Sequence, residues 1–110
     1  MNLPISPEKV AQVILLAREA STAAEAELRE FIAMLDEEEQ AALVAVMWIG
    51  RGTFDAEDLE EALDTAFAEA TTPTAVYLIG SPHLPEHLEN GLDALGIDVT
   101  DLEDDLMGGH

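Results

Sequence analysis

The 110-residue chain contains no cysteine and only four lysines and arginines. The absence of cysteine excludes a disulfide framework, a thiolate zinc site and a cysteine nucleophile. Because 24 aspartates and glutamates leave a formal net charge of −20, the chain lacks the basic surface that binds nucleic acid by neutralising phosphates. The same shortage of cations excludes a polybasic membrane anchor. We therefore expect neither nucleic acid nor a membrane among its partners.

Targeting segments are also missing from the sequence. No apolar run reaches the roughly 18 residues that a membrane span requires. The N-terminal sequence MNLPISPEKV lacks the basic segment and the small-residue cleavage site of a signal peptide, so we expect a cytoplasmic protein. A hydrophobic content of 48% is too high for a disordered acidic chain, which combines high charge with low hydrophobicity. The length suits one domain with one core.

Helical patterns are present along most of the chain. Apolar residues recur at intervals of three and four, which predicts an all-α, single-domain bundle of five or six helices. Residues 1–99 are predicted to form this helical domain, and the acidic segment 100–110 is predicted to be a disordered tail. The apolar segment TAVYLIG is assigned to a helix because no second strand exists to pair with it. The residues predicted to cap the starts of helices are Ser6, Thr22, Asp36, Asp55 and Ser81.

The segment from about 38 to 49 is apolar on nearly every side, which is typical of a helix surrounded by other helices. It is therefore predicted to be the central helix, with Gly50 and Gly52 ending it. Its predicted core residues are Leu43, Met47 and Trp48. The predicted inward faces of the other helices are Val10, Val13, Ile14 and Ala17; Leu28, Phe31, Ile32 and Leu35; Leu59, Leu63, Ala66 and Phe67; and Leu84, Leu88, Leu92 and Leu95.

Three segments of the chain resemble one protein family. They are ISPEKV (5–10), LDEEEQAALVAVMWIGRGTFDAEDLEEAL (35–63) and YLIGSPHLPEHLENGLDALG (77–96). Together they are similar to the small bacterial family known as domain of unknown function 3775. The resemblance implies an all-helical, cytoplasmic bacterial protein. It implies no activity, so it supplies no catalytic residue.

Two histidines form the sharpest literal motif. His83 and His87 lie in the sequence HLPEH, which matches the H-x-x-E-H signature of inverted zinc proteases. Pro85 interrupts the motif, and a chain of this size has no room for a protease cleft. A weaker metal site at His83 and His87 with a nearby carboxylate stays open, since two histidines one helical turn apart are a competent chelate. We interpret the pair as surface histidines and predict no metal and no cofactor.

Three other residues are candidates for binding. Trp48 and Tyr77 are the only tryptophan and tyrosine, and such amphipathic aromatics serve either a core or an interface. Arg51 lies between two glycines. It either offers a bidentate fork to a carboxylate or phosphate, or neutralises the negative end of the central helix.

No nucleophile with an adjacent base and no phosphate-binding glycine loop is found in the sequence, so we expect no enzymatic activity. The main hypothesis is a non-enzymatic module that binds an unknown protein or its own copy. One alternative is an acidic mimic of nucleic acid that binds a basic protein, for which the net charge is the only support. The second alternative is the weak metal site at His83 and His87.

Overall fold

The computed structural model describes residues 3–19, 21–69 and 73–97. These residues form six α-helices and one short 3-10 helix, Ala56–Asp58, and no strand. The α-helices are α1 (Pro7–Glu19), α2 (Thr22–Met34), α3 (Glu37–Arg51), α4 (Leu59–Ala68), α5 (Thr74–Ile79) and α6 (Leu84–Ala94). The all-α prediction is confirmed, as is the helical assignment of TAVYLIG. The predicted tail, 100–110, and the predicted end of the domain at residue 99 lie outside the described residues.

Helix α3 is the centre of the fold. Its residues from 41 to 49 are buried without interruption, as the apolar run predicts. Leu43 and Met47 are fully buried, and Trp48 is 9% exposed. Helices α6 and α4 pack most extensively on α3, α1 lies against α2 and α6, and α5 contacts α2 and α3. In the described part of the chain, no helix is both long and apolar enough to cross a membrane.

The start of α3 has the predicted capping box. The Glu39 N–H donates to Asp36 Oδ1 at 2.8 Å, and the Asp36 N–H donates to Glu39 Oε1 at 3.1 Å. Lys9 of α1 donates from Nζ to Glu39 Oε2 at 2.5 Å. The bond from Lys9, followed by that from the Asp36 backbone, lowers the pKa of Glu39. Glu39 therefore closes the cap of α3 and ties it to α1.

The end of α3 differs from the prediction at Gly50. The helix continues through Gly50 to Arg51, and only Gly52 ends it, with a left-handed φ of 91°. Gly50 instead lies where α3 crosses α6, because a Cβ there would be 1.7 Å from the carbonyl oxygen of His87. Gly91 of α6 has the reciprocal place, since its Cβ would be 2.1 Å from the carbonyl oxygen of Val46. The two glycines allow direct contact between the two helix backbones.

Two of the predicted helix starts are confirmed and one is shifted by a residue. Ser6 Oγ accepts a 3.3 Å hydrogen bond from the Lys9 N–H at the start of α1. Asp36 caps α3 as described above. At α2 the predicted cap, Thr22, is wrong. Ser21 takes that place, and its Oγ accepts from the Ala24 N–H at 3.0 Å. An N-cap side chain accepts from a backbone N–H two or three residues later, and Ser21 has this spacing to Ala24.

The predicted caps at Asp55 and Ser81 do not form. Asp55 precedes the 3-10 helix, but its side chain makes no capping hydrogen bond. Ser81 Oγ donates to the carbonyl oxygen of Tyr77 at 2.9 Å, so it belongs to the end of α5. His83, with a left-handed φ of 59°, precedes α6 instead. Pro85 lies in the first turn of α6. A backbone N–H at this position would have no acceptor within the helix, so its absence in proline costs no helical hydrogen bond.

The predicted inward face of α4 is partly wrong. Leu59 and Ala66 are buried as expected, but Phe67 is 50% exposed and Ala62 is fully buried. Leu59, Ala62 and Ala66 follow the i, i+3, i+7 spacing of a single helical stripe, which places small side chains against α3. Phe67 follows Ala66 in the sequence and therefore lies beside this stripe, at the border between the core and solvent. Among the other predicted inward residues, Ala17, Phe31, Leu63 and Leu95 are only partly buried.

Candidate functional site

A groove with a volume of about 640 Å³ runs between α3, α4 and α5. We call it the aromatic groove. Its floor is formed by every third or fourth residue along one face of α3, and its walls come from the end of α4 and from α5. The residues that line it are Glu37, Gln40, Ala41, Val44 and Trp48; Ala66, Phe67 and Glu69; and Pro73, Thr74 and Tyr77.

Two of the candidate binding residues meet in this groove. The Trp48 Nε1–H donates to the Tyr77 hydroxyl at 3.0 Å, which joins α3 to α5. The indole also stacks on Phe54, with ring centroids 5.7 Å apart and planes inclined by 29°. Trp48 is therefore held on two sides and is 9% exposed, whereas Tyr77 is 37% exposed. The indole is a fixed part of the floor, and the phenol ring is an accessible wall.

The second accessible wall is Phe67, which the sequence pattern assigns wrongly to the core. Half of its surface faces solvent beside the groove. Leu59, Ala62 and Ala66 form a complete buried stripe without Phe67. Their spacing in the sequence could therefore have predicted that Phe67 is exposed. Met34 of α2 is also exposed, at 87%, but it does not line the groove. Phe67 and Tyr77 thus form an aromatic pair of walls around one concave surface.

The charged groups at the groove are acidic. Glu37 at the start of α3 and Glu69 just after α4 are both exposed and line it. Neither forms an ion pair with another residue of the described ranges. None of the four lysines and arginines of the chain is among the lining residues. Two carboxylates without an ion-pair partner in the described ranges therefore line the groove, one at the start of α3 and one just after α4.

Arg51 does not join the groove. It is exposed in the last turn of α3, and its Nε–H donates to Thr53 Oγ1 at 3.1 Å. The position of Arg51 fits the second of the two predicted alternatives, in which its charge interacts with the negative end of α3. The other three cations form ion pairs, Lys9 with Glu39, Arg18 with Glu89, and Arg29 with Glu25.

The two candidate histidines lie at the start of α6, away from the groove. Their ring centroids are 6.3 Å apart and the ring planes are nearly perpendicular. His83 is exposed, as predicted, but His87 is partly buried, and its Nδ1 has no hydrogen-bond partner among the described residues. His87 is therefore not the exposed surface histidine of our interpretation, because its Nδ1 is buried. No group of three metal-ligating side chains occurs within residues 3–19, 21–69 and 73–97.

Comparison with known proteins relates the chain to one family. Neither a curated protein nor a solved structure matches the chain. The sequence model of the family described as "Protein of unknown function (DUF3775)" matches residues 25–97, about two thirds of the chain. The matched region contains every residue that lines the aromatic groove. The description of the family states no activity, so it transfers none. The chain belongs to the DUF3775 family of proteins of unknown function.

Proposed function

We propose that the chain is a non-enzymatic, cytoplasmic protein-interaction module whose aromatic groove binds a segment of another protein. The observation that carries this proposal is the exposure of Phe67 and Tyr77 in the lining of a concave surface that also includes Trp48. Binding energy at protein interfaces is concentrated in aromatic residues that surround such a pocket. Large apolar side chains beside a concavity are therefore better explained by an interface than by packing within this chain.

The energy available at the two walls supports a reversible interaction. A phenylalanine or tyrosine buries roughly 200 Å² when fully covered. The exposed fractions of Phe67 and Tyr77, 50% and 37%, then leave about 170 Å² to cover. At about 25 cal/mol per Å², covering it contributes about 4 kcal/mol. The partner's own apolar side chains add a similar amount, and the loss of translational freedom subtracts from the total. This balance favours a transient complex over a permanent one.

The partner is proposed to be a different protein, not a second copy. Two copies would each bring a net charge of −20, and a copy seated in the groove would bring its acids close to Glu37 and Glu69. The nucleic-acid mimic stays an alternative that rests on the net charge alone. A mimic, whose contacts are those of phosphates, does not need exposed aromatic side chains beside a groove. The metal site at His83 and His87 is the other alternative.

The test compares two substitutions of exposed apolar residues. Tagged wild-type chain, Phe67→Ser and Met34→Ser are each used to capture proteins from the native extract, and the captured protein is purified and titrated directly. Met34 is the matched control because it is more exposed than Phe67 and lies outside the groove. We expect wild type and Met34→Ser to bind the same protein, and Phe67→Ser to bind it at least tenfold more weakly.

Other results would contradict the proposal and identify the alternative. Equal binding by wild type and Phe67→Ser would exclude the groove as the interface. If such a complex also dissociated on addition of salt and contained a nucleic-acid-binding protein, the mimic would be supported. If purified chain retained zinc and lost it on His87→Ala, the metal site would be supported.

A further inference from the structure

We infer that the segment bound in the aromatic groove is a cationic amphipathic helix, with large apolar side chains on one face and lysine or arginine beside them. This inference rests on the proposed function and specifies the chemistry of the partner. It follows from the length of the groove, from the kind of elements that form its walls and from the charge at its edge.

The groove has the length and the walls that suit a helix. Its floor extends along α3 from Glu37 to Trp48, which are eleven positions apart, or about 16 Å at 1.5 Å per residue, and this equals about three helical turns. The described residues form helices and no strand, so the groove offers no sheet edge to an extended peptide. An extended segment would find no neighbouring strand among the described residues to pair with its backbone N–H and C=O groups. A helix satisfies these groups itself and presents a ridge of apolar side chains at i, i+3, i+4 and i+7.

The charge at the edge of the groove selects a basic partner. Glu37, in the first turn of α3, and Glu69, just after α4, both line the groove, and neither is paired within the described residues. Lysine and arginine of a bound helix can cover apolar surface with their stems while their charged ends lie near carboxylates at the edge of the groove. A partner of the same charge as the groove would be repelled, which gives specificity against acidic helices.

The chain's own C-terminal segment is a poor occupant on the same grounds. The sequence from 98 to 110, DVTDLEDDLMGGH, carries apolar residues but five acids and no lysine or arginine. A second copy of the chain also lacks the required helix. Its four cations are distributed over α1, α2 and α3, and three of them are paired with glutamates of the chain.

The test uses four designed peptides of 15 residues and the full chain. The probe is a fluorescein-labelled peptide with four leucines on one helical face and lysines at the flanking positions. Three matched peptides replace the lysines with glutamate, the leucines with serine, or a central residue with proline. Fluorescence anisotropy gives the affinities, and the emission of Trp48, the only tryptophan of the chain, reports binding at the groove floor. We expect each of the three replacements to weaken binding at least tenfold.

Two double variants of the chain locate the charge effect. Glu37→Gln with Glu69→Gln is expected to weaken binding of the lysine peptide about fivefold, the effect of two exposed ion pairs. Glu30→Gln with Glu60→Gln changes the net charge equally at exposed positions that do not line the groove. We expect this control to change the affinity less than twofold. Circular dichroism verifies that both variants keep the helical content of wild type.

The outcomes separate the inference from the proposed function. If the lysine and glutamate peptides bind equally and Phe67→Ser abolishes both, the groove is an interface but the cationic partner is wrong. If the control variant weakens binding as much as the groove variant, the peptide responds only to net charge and the inference fails. If sedimentation shows self-association that Phe67→Ser removes, the occupant is a second copy. If no peptide binds and Phe67→Ser still captures the native partner, both proposals fail.

Discussion

Substitution of Gly91 by alanine is expected to destabilise the fold strongly, although alanine is the better helix former. In an open helix the change would stabilise by about 1 kcal/mol. At Gly91 the new Cβ would lie 2.1 Å from the Val46 carbonyl oxygen and 2.8 Å from the Val46 Cγ1. The backbone of α3 cannot rotate out of the way as the end of a flexible side chain can. The two helices must therefore separate by more than about 1 Å, since ordinary contacts begin near 3.4 Å.

The size of the effect follows from what this separation opens. Helices α3 and α6 form the most extensive helix pair of the fold, with Leu88 and Leu92 fully buried between them and their neighbours. Overpacking of a core lowers the free energy of unfolding by about 1–3 kcal/mol. We expect the upper end of this range here, because the atom that the new Cβ meets belongs to the backbone of α3. We expect a net loss of about 3 kcal/mol, which lowers the melting temperature of a domain of this size by more than about 10 °C.

The assay is thermal and urea unfolding followed by circular dichroism, with Gly52→Ala as the matched control. Gly52 has a φ of 91°, and no atom lies within 4 Å of the position that a Cβ would take there. Alanine at this position therefore costs only the left-handed conformation, about 1–2 kcal/mol. Gly50→Ala, with 1.7 Å to the His87 carbonyl oxygen, is expected to be at least as harmful as Gly91→Ala. A melting temperature of Gly91→Ala within about 2 °C of wild type, on the order of 0.3 kcal/mol, would refute the close crossing.

Three further predictions follow from single contacts. Asp36→Ala removes the capping box of α3 and should cost about 1 kcal/mol in urea unfolding, whereas an unchanged midpoint would exclude the cap. The lowered pKa of Glu39 means that its contacts stabilise the fold above its unfolded pKa of about 4.3 and are lost as the pH falls through the folded value. Wild type should therefore lose more stability than Glu39→Gln between about pH 6 and pH 3, and parallel pH profiles would contradict this. Tyr77→Phe removes the acceptor of the Trp48 N–H and should cost about 1 kcal/mol and alter the tryptophan emission; an identical spectrum would count against the bond.

The elements of the fold are largely predictable because they depend on local chemistry. The capping box of Asp36 and Glu39 satisfies backbone donors within four residues of sequence, so its pattern is visible without tertiary information. The burial of α3 is equally visible, since an all-round apolar helix has no face that suits water. The error at Gly50 has the opposite origin. Glycine is favoured both at a helix end and at a close helix crossing, and only the position of α6 distinguishes the two.

The candidate site is less predictable because it is made by three helices that are distant in sequence. Trp48 and Tyr77 are predicted as interface residues by type, but their hydrogen bond requires the path of the chain through α4 and α5. Phe67 is missed because a single residue of rotation decides whether it enters the core or lies at its edge. Arg51 is chosen for its charge and its flanking glycines, yet its position at the end of α3 turns it away from the groove lining.

The two faces of α3 explain why a groove remains open in so small a domain. Val46 and Gly50 are one turn apart on the face that meets the backbone of α6. Val44 and Trp48 are also one turn apart. Val44 lies two residues before Val46 and Trp48 two residues before Gly50, so this second pair is rotated from the first by about 200° around the helix axis. The tight crossing with α6 therefore fixes α3 from one side, and in the described part of the chain α5 and the end of α4 line the groove on the other side. A floor held in this way needs little rearrangement when a partner binds, which reduces the cost of ordering the interface.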